Sequence, residues 1–444
     1  MADLPRRTVA RTARLAALPL GFAGRTAVGM GRRIGGAPAE AVMSDVQQRT
    51  AEQLFRTLGE LKGGAMKMGQ AMSIFESVLP EEMAAPYRAQ LTRLQDSAPP
   101  MAAALVRDVL RRELGPQWRT QLVQFDENPA AAASIGQVHR GRWHDGREVA
   151  IKVQYPGAGE ALRADLRQVA RLARTFGAMV PGIDIKPLVE ELQARVSEEL
   201  DYTLEAEAQQ VFADEFEGDP DVFVPHVVAG TDKVLVSEWV ESRSSLARLI
   251  AEGTQEQRDH YAERYVRFLF AGPARTGMLH ADPHPGNFRI LQADDGQLGG
   301  LGVVDYGAVA RLPERELPRS MGRLMRIAML DDYDDVLECL RIEGFVKPNI
   351  RIDPADLRDY LGPFIDPARG ETFKFSRVWM RDQFRRLNDP REPGYTLTLK
   401  LNLPPSYLLI HRVWLGGIGV LSQLEAEAPF RQILTESLPG FADD

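Results

Sequence analysis

The stretch that decides the fold is HADPHPGNF at residues 280–288, which is followed by VVDYG at residues 303–307. Asn287 comes five residues after Asp282, and Asp305 comes eighteen residues after Asn287. Amide and carboxylate oxygens are the ligands that a hard divalent cation such as Mg²⁺ prefers. The pattern is typical of phosphoryl transfer, with Asp282 orienting the nucleophile and Asn287 and Asp305 binding the metal.

A phosphate-binding strand is predicted upstream of these motifs. Residues 149–152 read VAIK, a strand that ends in Lys152, whose ammonium is expected to contact the α/β-phosphates of a nucleotide. Two alternating runs within residues 130–155, on either side of His144-Asp145-Gly146, predict an antiparallel hairpin. Small residues before it would let backbone N–H groups approach phosphates, although alone they also suit an Ala-rich helix start. The residues expected to bind the nucleotide are Ala131, Ala132, Ala133, Ser134, Lys152 and Glu238.

Composition indicates a folded protein of more than one lobe. The 444 residues are 44% hydrophobic and 26% charged. A net charge of −8 argues against general nucleic-acid binding. The single Cys339 excludes an internal disulfide and a Cys-based zinc site, and the seven histidines show no HExxH spacing. We expect a cytoplasmic protein.

The first forty residues have the opposite charge balance. Residues 1–40 contain seven arginines and two acidic residues, a local net charge of +5. We expect a mobile arm that contacts an anionic membrane surface, so that the protein is peripheral at the inner face of the membrane. The apolar stretch 407–421 contains His411 and Arg412 and is too short to span a bilayer. It predicts a buried helix.

The order of patterns predicts an α+β, bilobal, protein-kinase-like fold with an added N-terminal helical extension. Helical patterns occupy about 158–178 and 185–217, and residues 222–228 and 233–240 are expected to complete a small sheet. The predicted divisions are a basic mobile arm at 1–45, a helical extension at 46–125, an N-lobe with a helical insertion at 126–240, and a helical C-lobe with a C-terminal extension at 241–444.

This set of motifs resembles the UbiB/AarF (ADCK-type) family of atypical kinases over about residues 45–345. The resemblance implies Mg-ATP as cofactor, ATPase activity, membrane association and a link to isoprenoid quinone biosynthesis and lipid homeostasis. Besides HADPHPGNF and VDYG, it is carried by KMGQ (67–70), LQDSAPP (94–100), AAAASIGQVHRG (130–141), VAIKVQYPG (149–157) and EELDY (198–202).

The same resemblance assigns roles to the KMGQ and EELDY motifs. It implies that Lys67 and Gln70 of a KxGQ motif lie on the added helix across the active site and gate access to it. They would face Glu199 and Asp201 of an ExD motif.

The acidic partner of Lys152 is left open by the residue spacing. If residues 185–217 formed one helix, Asp201 and Glu205 would share a face and Glu199 would point elsewhere. The three acids could not then all serve one cation. Either Glu199 or Glu205 is expected to pair with Lys152.

Three functional classes are compatible with these motifs. No Ala-Pro-Glu follows Asp305, so protein phosphorylation is disfavoured and a small or lipid-like substrate is favoured. We favour an ATP-dependent atypical kinase or ATPase. The alternatives are a small-molecule phosphotransferase and a nucleotide-gated scaffold that regulates a biosynthetic protein complex.

Overall fold

The computed structural model describes residues 101–133, 135–160, 163, 185–292, 297–388, 392–398 and 400–442. The predicted arm at 1–45, Lys67, Gln70 and Ser134 lie outside the described residues. Most of the predicted helix at 158–178 does too.

The N-terminal lobe is built on a five-stranded antiparallel sheet with strand order β1-β2-β3-β6-β5. Alternating apolar residues place Val149, Ile151 and Val153 of β3 at 0% exposure on one face of the sheet. The predicted hairpin is confirmed, since β2 and β3 pair across a turn in which Gly146 has φ +95°. The strands are β1 (Leu122–Ala133), β2 (Gly136–Trp143), β3 (Glu148–Gln154), β5 (Val227–Gly230) and β6 (Val234–Glu238).

Two helices before the sheet complete its outer core. Val106 and Leu110 of α1 (Ala103–Glu113) and Trp118 of α2 (Trp118–Gln121) are buried in one hydrophobic cluster with Ile151. Residues 103–121, which the sequence placed in the helical extension, therefore share a hydrophobic core with the sheet.

The predicted single helix over 185–217 is wrong, because the chain breaks at Leu200 and Asp201. It forms α3 (Ile185–Glu199) and α4 (Tyr202–Glu215). Asp201 is extended, with φ −110° and ψ 100°, and its side chain accepts a hydrogen bond from the Thr203 N–H. An Asp in this position caps a new helix. The faces of Glu199 and Glu205 are therefore not fixed by one helical repeat.

The predicted strand at 222–228 is also divided between two sheets. Val222–Phe223 forms β4, which pairs in parallel with β10 (Leu298–Val303) of the C-terminal lobe, whereas β5 joins the five-stranded sheet. The intervening Pro225 cannot donate a ladder hydrogen bond, which favours the interruption.

The C-terminal lobe is mainly helical and is organised around one long helix, α6 (Gln255–Thr276). A capping box at Thr254 and Gln257 starts this helix, and Gly277 in the left-handed conformation ends it. The other helices described are α5 (Leu246–Glu252), α7 (Arg319–Met329), α8 (Tyr333–Ile342), α9 (Pro354–Ile365), α10 (Arg377–Asn388), α11 (Pro393–Thr398), α12 (Leu408–Leu424) and α13 (Phe430–Ser437). The strands are β4 (Val222–Phe223), β7 (Ser244–Ser245), β8 (Met278–His280), β9 (Phe288–Gln292), β10 (Leu298–Val303), β11 (Val309–Arg311), β12 (Phe373–Lys374) and β13 (Glu427–Ala428).

The apolar stretch at 407–421 forms most of α12. Ten residues of this helix are buried, and seven of them belong to the hydrophobic core of the C-terminal lobe. The prediction of a buried helix is confirmed. Among the described residues, no helix is both long and apolar enough to cross a membrane.

Candidate active site

A hairpin brings the two sequence motifs together. Strands β9 and β10 are antiparallel, with Val303 opposite Phe288. One step beyond this pair, the Val304 N–H donates to the Asn287 carbonyl at 2.9 Å. Asn287 comes just before β9 and Asp305 just after β10, so both lie at the same end of the hairpin. This explains how residues eighteen positions apart in the chain become neighbours.

The backbone at Asp305 is held in an unusual conformation. Asp305 has φ +67°, in the left-handed region that Asp tolerates better than most residues. Behind it, the ring of Tyr306 packs on Phe212 and on His280, with centroid distances of 4.9 and 5.0 Å. His280 Nε2 donates to the Asp305 carbonyl at 3.1 Å. These contacts fix the turn that carries the Asp305 carboxylate.

Lys152 lies between two carboxylates at the centre of the site. Its Nζ donates to Glu205 Oε1 at 2.6 Å and to Asp305 Oδ1 at 3.0 Å. The Lys152 side chain is 11% exposed and that of Glu205 is 3% exposed. Burial acts to lower the pKa of the ammonium, but the charges of Asp305 and Glu205 outweigh it and raise that pKa. Lys152 is therefore a fixed cation at neutral pH.

Of the two acids left open by the sequence, the structure pairs Glu205 with Lys152. Glu199 lies nearby at the end of α3, since a Cβ added to Gly307 would meet Glu205 Oε2 at 3.2 Å, Asp305 Oδ1 at 3.3 Å and Glu199 Cγ at 3.6 Å. Three acidic side chains thus converge around Gly307. Asp201 instead caps α4 through Thr203.

Both carboxylate oxygens of Asp282 have partners. Its Oδ2 accepts from Asn287 Nδ2 at 2.9 Å, and its Oδ1 accepts from Arg412 Nη2 at 2.7 Å. The side chains of Arg412 and Asp282 are only 16% and 15% exposed. A carboxylate has about four acceptor positions, so the nucleophile of a reaction can still approach Asp282.

The sequence reasoning missed Arg412 as a site residue. It lies on α12, and Gly416, one turn further along the same face, packs on Pro283, the neighbour of Asp282 in the candidate catalytic loop (residues 280–287). A Cβ at Gly416 would lie 2.5 Å from Pro283 Cγ. The available signal was a charged residue inside an apolar helix, because a buried charge needs a partner.

The histidines of the loop have structural contacts. Burial lowers the pKa of His280, so the ring that donates to Asp305 is neutral near pH 7. His284 Nδ1 accepts from the Gly286 N–H at 3.1 Å and caps a short 3₁₀ turn, Pro285–Asn287.

The Ala-rich segment pairs as the end of a hairpin. Ala131, Ala132 and Ala133 in β1 lie opposite Val138, Gln137 and Gly136 in β2. Residues 131–138 (AAASIGQV) have the spacing of a G-x-G-x-x-G-x-V loop, with Ala at the first two Gly positions.

Glu238 is not brought together with the other predicted nucleotide-binding side chains. It pairs with Val149 in the sheet, whereas Lys152 pairs with Leu235, and this register puts Glu238 and Lys152 on opposite faces. Its carboxylate accepts from the His226 N–H at 3.1 Å and forms an ion pair with Arg147 at 3.4 Å. The Glu238 side chain thus lies on the other face of the sheet from Lys152, and its contact with the cofactor stays a prediction.

The donor set of the hairpin fits a hard cation. Asn287 donates through Nδ2 to Asp282. An amide oxygen and a carboxylate, as on Asn287 and Asp305, are both of the ligand type that Mg²⁺ prefers. Among the described residues, no group of three or more His, Cys, Asp or Glu forms a metal cluster.

Comparison with known proteins identifies the family. Residues 93–340 match the ABC1 atypical kinase-like domain. The chain belongs to the ABC1 atypical kinase-like family. The resemblance to UbiB, AarF and ADCK proteins is thereby confirmed, and so is the predicted α+β, kinase-like fold.

Individual relatives of the chain are named as kinases of this family. The chain is 28% identical to the mitochondrial atypical kinase COQ8 of Saccharomyces cerevisiae, over 79% of this chain and 71% of the yeast protein. It is 31% identical to a probable protein kinase UbiB of Aeromonas salmonicida, over 78% of this chain and 63% of that protein. A solved Mycobacterium tuberculosis protein in complex with erythromycin is 38% identical, with a TM-score of 0.67, and the match covers 92% of this chain and 100% of that one.

Proposed function

We propose that this protein is a Mg-ATP-dependent atypical kinase or ATPase that supports isoprenoid quinone biosynthesis or lipid homeostasis. The observation that carries the proposal is the buried contact of Lys152 with Glu205 and Asp305, beside Asp282 and Asn287. Phosphoryl transfer needs a fixed cation for the phosphates, oxygen ligands for a metal and a carboxylate that orients the nucleophile.

Each described residue has a defined task under this proposal. Lys152 would bind the α/β-phosphates, and Glu205 would hold its ammonium in place. Asn287 and Asp305 would hold Mg²⁺, which supplies charge neutralisation for the phosphates when it is bound. Asp282 would orient a water molecule or a hydroxyl group and accept its proton.

The acceptor is proposed to be a small or lipid-like molecule rather than a protein. The absence of an Ala-Pro-Glu motif after Asp305 supports this choice. So does the erythromycin complex of the Mycobacterium tuberculosis relative, since a related chain accommodates a small organic ligand.

Contact with an anionic membrane surface is proposed through residues 1–40, whose net charge is +5. Binding to vesicles with and without phosphatidylglycerol would test it. Deletion of residues 1–40 should abolish binding to the anionic vesicles only, and unchanged binding would remove the proposal.

The experiment that tests the main proposal is Mg²⁺-dependent phosphate release from ATP by the purified chain. It is measured with and without anionic liposomes and a phenolic quinone-precursor analogue. Asp305→Asn is the matched control, because Asn also tolerates the left-handed backbone at this position. Release that the additions stimulate and Asp305→Asn abolishes would support the proposal.

A nucleotide-gated scaffold with slow turnover is the second candidate. It is favoured by the engagement of both Asp282 oxygens, because an acceptor must share this carboxylate with Arg412 and Asn287. ATP binding without phosphate release would select this candidate. If the wild-type protein neither bound ATP nor released phosphate, both the enzyme proposal and the scaffold proposal would be refuted.

A further inference from the structure

The hydroxyl of Tyr202 is buried without a hydrogen-bond partner among the described residues. The tyrosine is 0% exposed and its Oη makes no hydrogen bond. A buried polar atom without a partner lowers stability, and phenylalanine would fill the same space without that penalty. The hydroxyl therefore requires an explanation other than packing.

Tyr202 lies next to Lys152 and to the end of the β1–β2 hairpin, the two elements expected to bind phosphates. Lys152 Nζ lies 5.1 Å from the centroid of its ring, within the range of a cation–π contact. Its hydroxyl lies 3.0 Å from the position that a Cβ on Gly136 would occupy. Gly136 pairs with Ala133 at the end of the β1–β2 hairpin. Tyr202 therefore links the ammonium of Lys152 to the base of the phosphate-covering loop.

The described residues around Tyr202 hold it in place but offer its hydroxyl no acceptor. Its backbone N–H donates to the Asp232 carbonyl at 3.2 Å, at the first residue of α4. Its ring packs in an apolar cluster with Ile135, Leu200 and Leu235. The side chain cannot leave this cluster without exposing apolar surface, so a partner must come to it.

We propose that Tyr202 binds the nucleotide directly, its hydroxyl donating a hydrogen bond to a phosphoryl oxygen when the pairing of Ala133 with Gly136 opens to admit the ligand. This inference rests on the proposed function and adds a binding residue to that site. The acceptor is assigned to a phosphate because Lys152 and the hairpin, the elements that Tyr202 contacts, are those expected to bind phosphates. The base and ribose of the nucleotide should not depend on this hydroxyl.

The test is calorimetric titration of wild-type protein and Tyr202→Phe with ATP, ADP and adenosine in the presence of Mg²⁺. We expect Tyr202→Phe to bind ATP and ADP about 10-fold to 100-fold more weakly, which corresponds to about 1.4 to 2.8 kcal/mol. Adenosine should bind both proteins equally. The nucleotide-free variant should unfold at the same temperature as wild type or at a higher one, because the buried hydroxyl without a partner is gone.

Tyr333→Phe is the matched control, since Tyr333 on α8 also has a buried hydroxyl without a partner among the described residues. It should leave the binding of all three ligands unchanged. Equal ATP affinity for wild type and Tyr202→Phe would overturn the inference while leaving the proposed function intact, as would an equal loss for adenosine. Failure of wild-type protein to bind any nucleotide would overturn both.

Discussion

The ion pair between Arg412 and Asp282 is expected to couple the C-terminal helix α12 energetically to the catalytic loop. The perturbation is a double-mutant cycle of Arg412→Met, Asp282→Asn and the combined variant. Met retains the apolar stem of Arg412, and Asn retains the shape of Asp282. Each single change removes the charge pair while disturbing the packing little.

The structure sets the size of the expected coupling. At the observed 2.7 Å separation, the gross Coulomb attraction is about 6 kcal/mol for an effective dielectric constant of about 20. Desolvation of two side chains that are 16% and 15% exposed cancels much of this attraction. Hydrogen bonds to charged groups retain about 1.5–3 kcal/mol, so we expect a coupling of about 2 kcal/mol.

Urea unfolding at pH 7 and physiological salt measures this coupling as the difference between the double variant and the sum of the single ones. The exposed pair Arg248–Glu252 on α5, with 65% and 62% exposure, provides a control, for which about 0.3 kcal/mol is expected. A coupling below about 0.5 kcal/mol at Arg412–Asp282 would refute the reasoning, because the buried pair would then behave like a surface pair.

Three further perturbations test other parts of the site and of α12. Gly416→Ala should destabilise the protein by about 1–3 kcal/mol, because its Cβ would lie 2.5 Å from Pro283 Cγ. Gly419→Ala should stabilise it by about 0.5–1 kcal/mol, because a Cβ there would point into open space; urea unfolding compares the two variants. Gly307→Ala should lower Mg²⁺-dependent phosphate release at least about 10-fold, because its Cβ would press on two carboxylates at 3.2 and 3.3 Å; wild-type release would contradict this. Burial lowers the pKa of His411 to about 4, whereas the same side chain in the unfolded protein has a pKa of about 6.5. The neutral His411 therefore contributes fully to stability above pH 6.5, and this contribution is lost as the pH falls toward 4. Unfolding measured from pH 7 to 4 should show a loss of about 1–3 kcal/mol that His411→Phe removes, and an identical profile for the variant would exclude His411 as its source.

Much of the fold and part of the site could be predicted because their signals are local. The alternation in residues 130–155 and the turn at Gly146 predict the β2–β3 hairpin without reference to the rest of the chain. The spacing of Asp282, Asn287 and Asp305 likewise identifies three residues that the β9–β10 hairpin brings together.

The features that the sequence did not predict depend on tertiary contacts or on a single capping residue. The helical pattern continues through Asp201, and only the cap that its side chain forms separates α3 from α4. The choice of Glu205 over Glu199 as the partner of Lys152 is visible only in the tertiary contacts. The face of the sheet occupied by Glu238 follows from the pairing register, which the order of residues alone does not specify.

The role of Arg412 could not be predicted because its partner is distant in the sequence. Its partner lies 130 residues earlier in the chain, so no local pattern connects them. A charge in an apolar helix predicts that some partner exists, but the fold is needed to identify it as Asp282.

The docking of α12 means that the functional unit of this protein extends beyond its recognisable domain. The family match ends at residue 340, yet Arg412 and Gly416 contact the loop that carries Asp282 and Pro283. A fragment that ended at residue 340 would retain the family motifs within the match. It would lose α12, and with it the contacts of Arg412 and Gly416 with the candidate catalytic loop. The region beyond residue 340 therefore belongs in any chain used to measure phosphate release by this protein.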